Sequence, residues 1–412
     1  MASTRLWYLA TKIEWTKWTW VTPSHFVRYI DWDFMFNQEN IENNPIQNNR
    51  WGPLYPIAWK QAVAWAFNFD LEALNAPYIM YPALWTISSA DVSSGTDTSV
   101  YEHTLTVANT LPSYTWEQWK WNISDSTNNL QNYIINRAFW VMVDSFTLSA
   151  SDWKINMASN FKAYWLKSKR DMISDAAAWA SVDISLEDVD WLTTSDTVNI
   201  YDETPQSEAD AIASISTANK TIQIWTLWNS YTVANNWKVA LAPLTPSYVA
   251  PQFFTFHQCD FKFGANLTAA SSASEENIED WEFTMENNLE ERYWSTKQWP
   301  SVIWEKWARA TLKFTKYFEN REELDQYLRQ TRRACEITIQ NNTIISATDT
   351  NEYKYRVLIE LSDLRWTTYE MPTWTDELYA VTLEWTCYYD ATDTRAIRIK
   401  VRNASAGTVY TA

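Results

Sequence analysis

The stretch VDSFTLSASDWKINMASNFKAYW (residues 143–165) alternates apolar and polar side chains through most of its length. In its second part Ile155, Met157, Phe161 and Ala163 fall in one phase, and Lys154, Asn156, Asn160 and Lys162 in the other. Successive side chains of an extended strand project to opposite faces, so a period of two predicts a strand with one buried face. The text before Asp152 carries the same signal, and SDWK (residues 151–154) joins the two strands. A glycine at position 153 would make that junction a good hairpin turn; the tryptophan written there makes a poor one.

That local conflict is general. The chain has 412 residues, with 28 Trp and only 4 Gly: Gly52, Gly95, Gly264 and Gly407. Ordinary glycine usage is about 7%, because turns and helix ends need a residue that accepts positive φ. Tryptophan stands where glycine is expected: after Asp31, Asp152, Asp190, Asn236 and Asp280, each an Asp-Gly or Asn-Gly type turn signal, and at Trp85, the residue after a helix end. TKIEWTKWTWVTP (residues 11–23) sets Trp15, Trp18 and Trp20 in polar, loop-like text. Some bacterial lineages read UGA as glycine, and a common alternative code reads it as tryptophan. Most of these tryptophans are therefore read as glycine codons.

Period-two text recurs late in the chain: Tyr353, Tyr355, Val357, Ile359 and Leu361; Val381, Leu383, Trp385, Cys387 and Tyr389; Ile397, Ile399 and Val401. These predict antiparallel strands with one buried face. Helices are few. NREELDQYLRQTRR predicts one, with Asn320 as cap, Glu323 in the capping-box position, an apolar stripe of Leu324, Tyr327 and Leu328, and Arg329, Arg332 and Arg333 at its C-terminal end. NAPYIMYPALW predicts a shorter one, with Asn75 as cap and Pro77 in the first turn. The expected fold class is mostly β, an antiparallel sandwich or barrel in two related halves with one flanking helix each. The expected organisation is a first β domain over residues 1–180, an irregular acidic insertion and linker over 181–250, and a second β domain over 251–412. The halves are paired because DFMFNQENIENNP, followed by a strand and an acidic helix start, is matched by EFTMENNLEER in the same setting.

Chemistry is sparse. A net charge of −17 argues against sequence-specific DNA binding, which needs a basic footprint. Cys259, Cys335 and Cys387 give no disulfide framework or metal spacing and are expected as buried thiols. His25, His103 and His257 are far apart in sequence and expected to be structural. Reading Trp as Gly creates no phosphate loop, nucleophile elbow or dinucleotide fingerprint; WEQWKW (residues 116–121) becomes glycine-rich but fails the spacing. No catalytic, cofactor-binding or metal residue is assigned, no cofactor is expected, and the chain is not expected to be an enzyme. No signal peptide or membrane span is read in the sequence.

With glycine at the tryptophan positions, the opening YLATKIE-G-TK-G-T-G-VTPSHFVRYID-G-DF resembles the N-terminus of tail tube proteins from phages with long, non-contractile tails. The likeness follows the family's order through ENIENNPIQNNRWGPLYPIAWKQAVAWAFNFDLE, APYIMYPALW, YEHTLTVANTLPSYT, the hairpin quoted first, and MPTWTDELYAVTLEWTCYYD with IRIKVRN. The resemblance implies a virion structural protein assembled in the bacterial host cytoplasm. Its subunits are β-barrels or sandwiches with a flanking helix, joined sheet to sheet in stacked rings around a DNA channel. Implied partners are other copies of the chain and the tape measure, tail terminator and tail-tip proteins; DNA passes through without specific binding, and no membrane insertion is involved. Six tube domains per ring require three chains if each half is one domain, and six chains if only one half is; the trimer is favoured because the helix-plus-strand unit occurs twice. An acidic lumen would repel phosphates. The alternatives are another virion role, as a minor tail or decoration protein, and a carbohydrate-binding β-sandwich that uses its indoles for stacking.

Overall fold

In a computed structural model, the described residues are 8–14, 21–28, 31–42, 56–93, 99–108, 110–121, 133–151, 153–167, 169–202, 207–295, 299–317, 321–346, 352–370 and 380–411. The chain is mostly antiparallel β. It opens with β1 (Tyr8–Glu14), β2 (His25–Val27), β3 (Asp31–Glu42), β4 (Pro56–Asp70) and α1 (Ala76–Leu84). There follow β5 (Trp85–Asp91), β6 (Tyr101–Val107), β7 (Ser113–Trp121), β8 (Tyr133–Ser151), β9 (Lys154–Ala163) and β10 (Trp165–Lys167). The middle of the chain carries β11 (Lys169–Asp171), β12 (Trp179–Ser185), β13 (Thr197–Tyr201), β14 (Ser207–Ser216), β15 (Thr221–Leu227) and β16 (Lys238–Leu241). The last part begins with β17 (Cys259–Gly264), α2 (Leu267–Ser271), β18 (Asp280–Glu286), β19 (Glu290–Arg292), β20 (Val302–Trp304) and β21 (Arg309–Tyr317). It ends with α3 (Glu322–Leu328), β22 (Arg333–Ile344), β23 (Lys354–Glu370), β24 (Ala380–Tyr388), β25 (Ile397–Asn403) and α4 (Thr408–Thr411).

The quoted hairpin forms as its period predicts. β8 and β9 pair from Met142↔Lys162 to Ser151↔Lys154, and Ile155, Met157, Phe161 and Ala163 are buried. Around it runs one continuous sheet in the order β3-β4-β9-β8-β18-β21-β24-β23. β8 and β23 are long strands that serve two sheets. The N-terminal part of β8 pairs with β7 and β10, and its C-terminal part with β9 and β18. Likewise β23 pairs with β22 and β25 along its first part and with β24 along its last. The layers enclose a large core that includes Phe67, Phe146, Met157, Phe161, Phe283, Leu312, Phe314, Ile337, Ile359 and Leu383.

Four expectations change. Residues 181–250 are not irregular through their length: the strands over 169–241 form a separate six-stranded sheet, β11-β16-β13-β14-β15-β12. Its own core is built on Ile184, Trp191, Ile200, Ile222, Ile224 and Val239, with Ile135 and Phe139 of β8 packed in. The sequence hides it because β14 (SEADAIASIS) alternates small residues, which give a weak hydrophobic signal. Asp31 and Trp32 open β3, and Asp280 and Trp281 open β18, so these pairs begin strands rather than make turns. The helix of NREELDQYLRQTRR ends at Leu328, and Arg333 already belongs to β22; the side chain of Arg332 instead reaches Asp390. Its predicted cap Asn320 lies outside the described residues, and Leu328 is exposed. The shorter helix forms as expected at Ala76–Leu84.

Candidate functional site

From β9 to β24 one face of the long sheet is buried in the core; the other is mostly polar and runs on across the strand junctions. Residues directly opposite in an antiparallel pair share a face, so the ladders trace rows across it. Ala158, Thr147, Thr284, Thr311 and Thr386 stand opposite one another in turn. The next row runs Asn156, Ser149, Glu282, Lys313, Glu384 and Thr368. Side-chain hydrogen bonds knit the rows: Asn160 Nδ2 donates to Ser145 Oγ at 2.9 Å, the hydroxyls of Thr147 and Thr284 are 3.0 Å apart, and those of Thr367 and Thr386 are 3.0 Å apart.

The cations of this face come with carboxylates. Lys154 Nζ lies 2.8 Å from Asp70, and Lys162 Nζ 3.3 Å from Asp144. Lys313 stands between Glu282 and Glu384, and Arg309 stands opposite Glu286. A polyanion meets fixed positive charge that is already neutralised, so the gain from releasing its counterions is small. The surface is wettable, near balance in charge, and free of large apolar side chains on the traced rows.

The seam inside this face is β8 against β18, six residue pairs from Ser145↔Glu286 to Ala150↔Trp281. Asn287, just past β18, staples it. Its Nδ2 donates to the carbonyls of Val143 (2.9 Å) and Ala83 (3.1 Å), and its backbone N–H donates to Asp144 O (2.7 Å). A second link joins β25 to β6, from Arg398↔Thr106 to Asn403↔Tyr101.

The middle sheet is tied to β8 by a buried charge network. Arg137 donates from Nε and Nη2 to Glu117 Oε2 (2.9 and 2.6 Å), and from Nη1 and Nη2 to Asp196 Oδ2 and Oδ1 (2.8 and 2.9 Å). All three side chains are almost wholly buried. Tyr8 Oη donates to Glu117 Oε1, and Thr22 Oγ1 to Asp196 Oδ1 at 2.8 Å. Burial pushes the Glu117 carboxyl up, and Arg137 pulls it back down. Nearby, Glu14 is pushed up to about 7 by burial, although Ser113 Oγ, Thr115 Oγ1 and the Trp140 N–H donate to it.

Two of the three histidines, far apart in sequence, flank one aromatic cluster. His25 bonds Asn75 and stacks on Tyr78, which lies edge-on to Tyr410; His103 is buried between Ser89 and Asn403, edge-on to the same Tyr410; His257 is exposed beside Thr255. Cys335 and Cys387 are buried, and Cys259 is half-buried. Among the described residues no group of three His, Cys, Asp or Glu is placed to hold a metal ion. Nor is any described helix long and apolar enough to cross a membrane. Sequence reasoning singled out neither the polar face nor the Arg137 network. The signal for the first was available in the outward phase of 143–165, which is Ser, Thr, Asn, Ala and Lys. No protein-family model matches the chain, and no curated protein matches it.

Proposed function

We propose that this chain is a structural virion protein that polymerises into stacked rings, forming a phage tail tube through which DNA is ejected into the host. The observation that carries the reading is the polar face traced from β9 across the β8–β18 seam to β24. Its uncharged positions are Ser, Thr, Asn and Ala on the traced rows, and the cations Lys154, Lys162, Lys313 and Arg309 each have a carboxylate alongside or opposite. A conduit wall must be wetted and must not hold phosphates, and such a face meets both needs. It does so by charge balance rather than by a strongly acidic lining. Two related halves per chain suit a ring of three chains with pseudo-sixfold symmetry, with the tape measure, terminator and tail-tip proteins as end partners.

The glycine reading is part of this proposal. Trp153, Trp179, Trp225, Trp228, Trp294, Trp304 and Trp307 are each more than half exposed, where an indole contributes little and glycine or a polar residue is usual. A second reading draws on the same residues. Trp179, Trp225 and Trp228 all belong to the β12–β15 side of the middle sheet, which favours a glycan-stacking module there. Negative-stain electron microscopy of the protein made with glycine at the tryptophan positions, alone and with tail-tip proteins, tests the main reading. Tubes or rings with a central hole support it; a folded chain that stays monomeric in both conditions counts against it. Glycan-array binding lost on Trp225→Ala would favour the second.

A further inference from the structure

The strands on the two sides of the β8–β18 seam are laid down in the same order. One side runs β3-β4-β9-β8, the other β18-β21-β24-β23. In each set a helix follows the second strand, the long two-sheet strand comes later, and the strand after it returns to pair with the second. Register makes the correspondence residue by residue. Ala66 stands opposite Asp33 and Asn160; Lys313 stands opposite Glu282 and Glu384. Superposing those ladders lays Asp31, Trp32, Asp33 and Phe34 on Asp280, Trp281, Glu282 and Phe283, and Phe67 on Phe314. Backbone pairing thus reproduces a sequence match that played no part in the superposition.

The irregularities coincide as well. β8 against β9 shifts register between Val143 and Ser145; β23 against β24 shifts between Trp366 and Thr368. On the same superposition, the shift between Tyr114 and Trp116 of β7 falls on the shift between Arg333 and Cys335 of β22. Bulges are built features of a strand pair rather than accidents, and two at matching positions mark the same construction used twice.

The inner edges of the two units are joined, because residues 145–150 of β8 pair with 281–286 of β18. Among the described residues the matching outer edges have no second strand beside them: β3 is paired through β4 alone, and residues 365–370 of β23 through β24 alone. We propose that β3 of one copy lies antiparallel along the end of β23 of the next, with Asn37 opposite Thr368, Phe36 opposite Tyr369 and Met35 opposite Glu370. These pairs repeat Glu286↔Ser145, Met285↔Phe146 and Thr284↔Thr147 of the internal seam. Residue types agree at the central pair: Phe36 takes the register position of Met285, and Tyr369 that of Phe146. Tyr369 is left half-buried at its open edge, while Phe146 beside the occupied seam is fully buried.

Each chain carries one edge of each kind, so the contact is head to tail. Repeating the step that relates its own two units leads to a ring if the rotation closes. It also removes the two exposed edges of the sheet. This inference rests on the internal repetition and not on the tube reading.

The test is a double cysteine variant, Asn37→Cys with Thr368→Cys, oxidised after the protein has assembled. Directly opposite residues have Cβ atoms about 4.5–5.5 Å apart, so a small approach of the two strands brings the thiols to the roughly 3.5–4.5 Å Cβ separation of a disulfide. Asn37→Cys with Tyr369→Cys is the control, since a shift of one residue places the two thiols on opposite faces. A covalent ladder on a denaturing gel for the first variant, absent in the control and in both single variants, is the expected result; its top rung then reads the number of chains per ring. Assemblies without a ladder overturn this junction and leave the tube reading standing. A ladder without tubes keeps the junction and removes the tube. Monomers at every concentration, with tail-tip proteins present, overturn both.

Discussion

Thr147 of β8 and Thr284 of β18 face each other across the internal seam with their hydroxyls 3.0 Å apart, although 137 residues separate them in the chain. Thr284 is opposite Thr311 on its other side, and Thr311 is opposite Thr386. The polar face is therefore continuous where two sets of strands meet, and from Ala158 to Thr386 the row carries no charge of its own. Thr284→Lys would place on this row a cation with no carboxylate directly opposite. In assembled particles the variant should hold duplex DNA at low salt, with binding falling steeply as salt rises. Each added phosphate contact steepens the log–log salt slope by about 0.9. Fluorescence anisotropy against a salt series reads this directly. Equal affinity of variant and parent would place the row away from any DNA path.

The buried network gives a stability prediction. Arg137→Met leaves Glu117 and Asp196 inside the protein without their shared cation. Breaking a buried pair in this way typically costs about 3–5 kcal/mol, seen as a lower urea midpoint of the isolated subunit. The triple variant Arg137→Met, Glu117→Gln, Asp196→Asn should recover much of the loss, because no charge remains to be compensated. A single-variant loss under about 1 kcal/mol would mean water reaches the two carboxylates.

What the sequence revealed follows from range. Alternation along 143–165 and 353–402 is local, and it placed β8, β9, β23, β24 and β25 with the correct buried phase inside the strands, but it ran past their ends: Tyr353 precedes β23 and is half-buried, and Tyr389 follows β24 and is exposed. Asp-Trp at 31 and 280 misled, because an Asx-Gly turn signal needs a strand on each side, and here the strand begins at the Asp itself. The Arg137 network was hidden because charges in strand text read as outward-facing, whereas residues 116–118 of β7 are buried on both faces. The seam between β8 and β18 leaves no local signature; only the repeated Asp-Trp-Asp/Glu-Phe hinted at it.

Two buried groups make opposing contributions to pH dependence. Glu14 is raised by burial from 4.5 to about 7, so over that window the folded chain keeps a proton that the unfolded chain releases. Its contribution is full below 4.5 and is lost as pH rises toward 7, about 3 kcal/mol in all. His25 is lowered by burial from 6.5 to about 4, so its contribution is full above 6.5 and is lost as pH falls toward 4. Between 4.5 and 6.5 the two slopes oppose and largely cancel. Glu14→Gln should leave stability rising with pH through that window, and His25→Gln should leave it falling. Urea titrations at several pH values separate the two; parallel profiles for both variants would rule this out.

Trp140 offers the sharpest test of the glycine reading. Its φ is 52°, the left-handed region, and it is the one tryptophan with positive φ among the described residues. It lies where β8 slips register against β7, with Ala138 opposite Trp116 and Val141 opposite Tyr114. A bulge residue in this conformation is characteristically glycine, since a side chain there costs about 1–2 kcal/mol. The indole is nonetheless buried, edge-on to Tyr164 at 5.2 Å. If tryptophan is the translated residue, Trp140→Gly opens a cavity whose cost of about 3–5 kcal/mol exceeds the strain relieved, and the chain loses stability. If the codon is read as glycine, peptide mass spectrometry of protein from its native source returns glycine at position 140, and at the exposed turn position 153. We expect glycine at both. Tryptophan at both would end the recoding proposal while leaving the topology, and the two matching open edges, as they are.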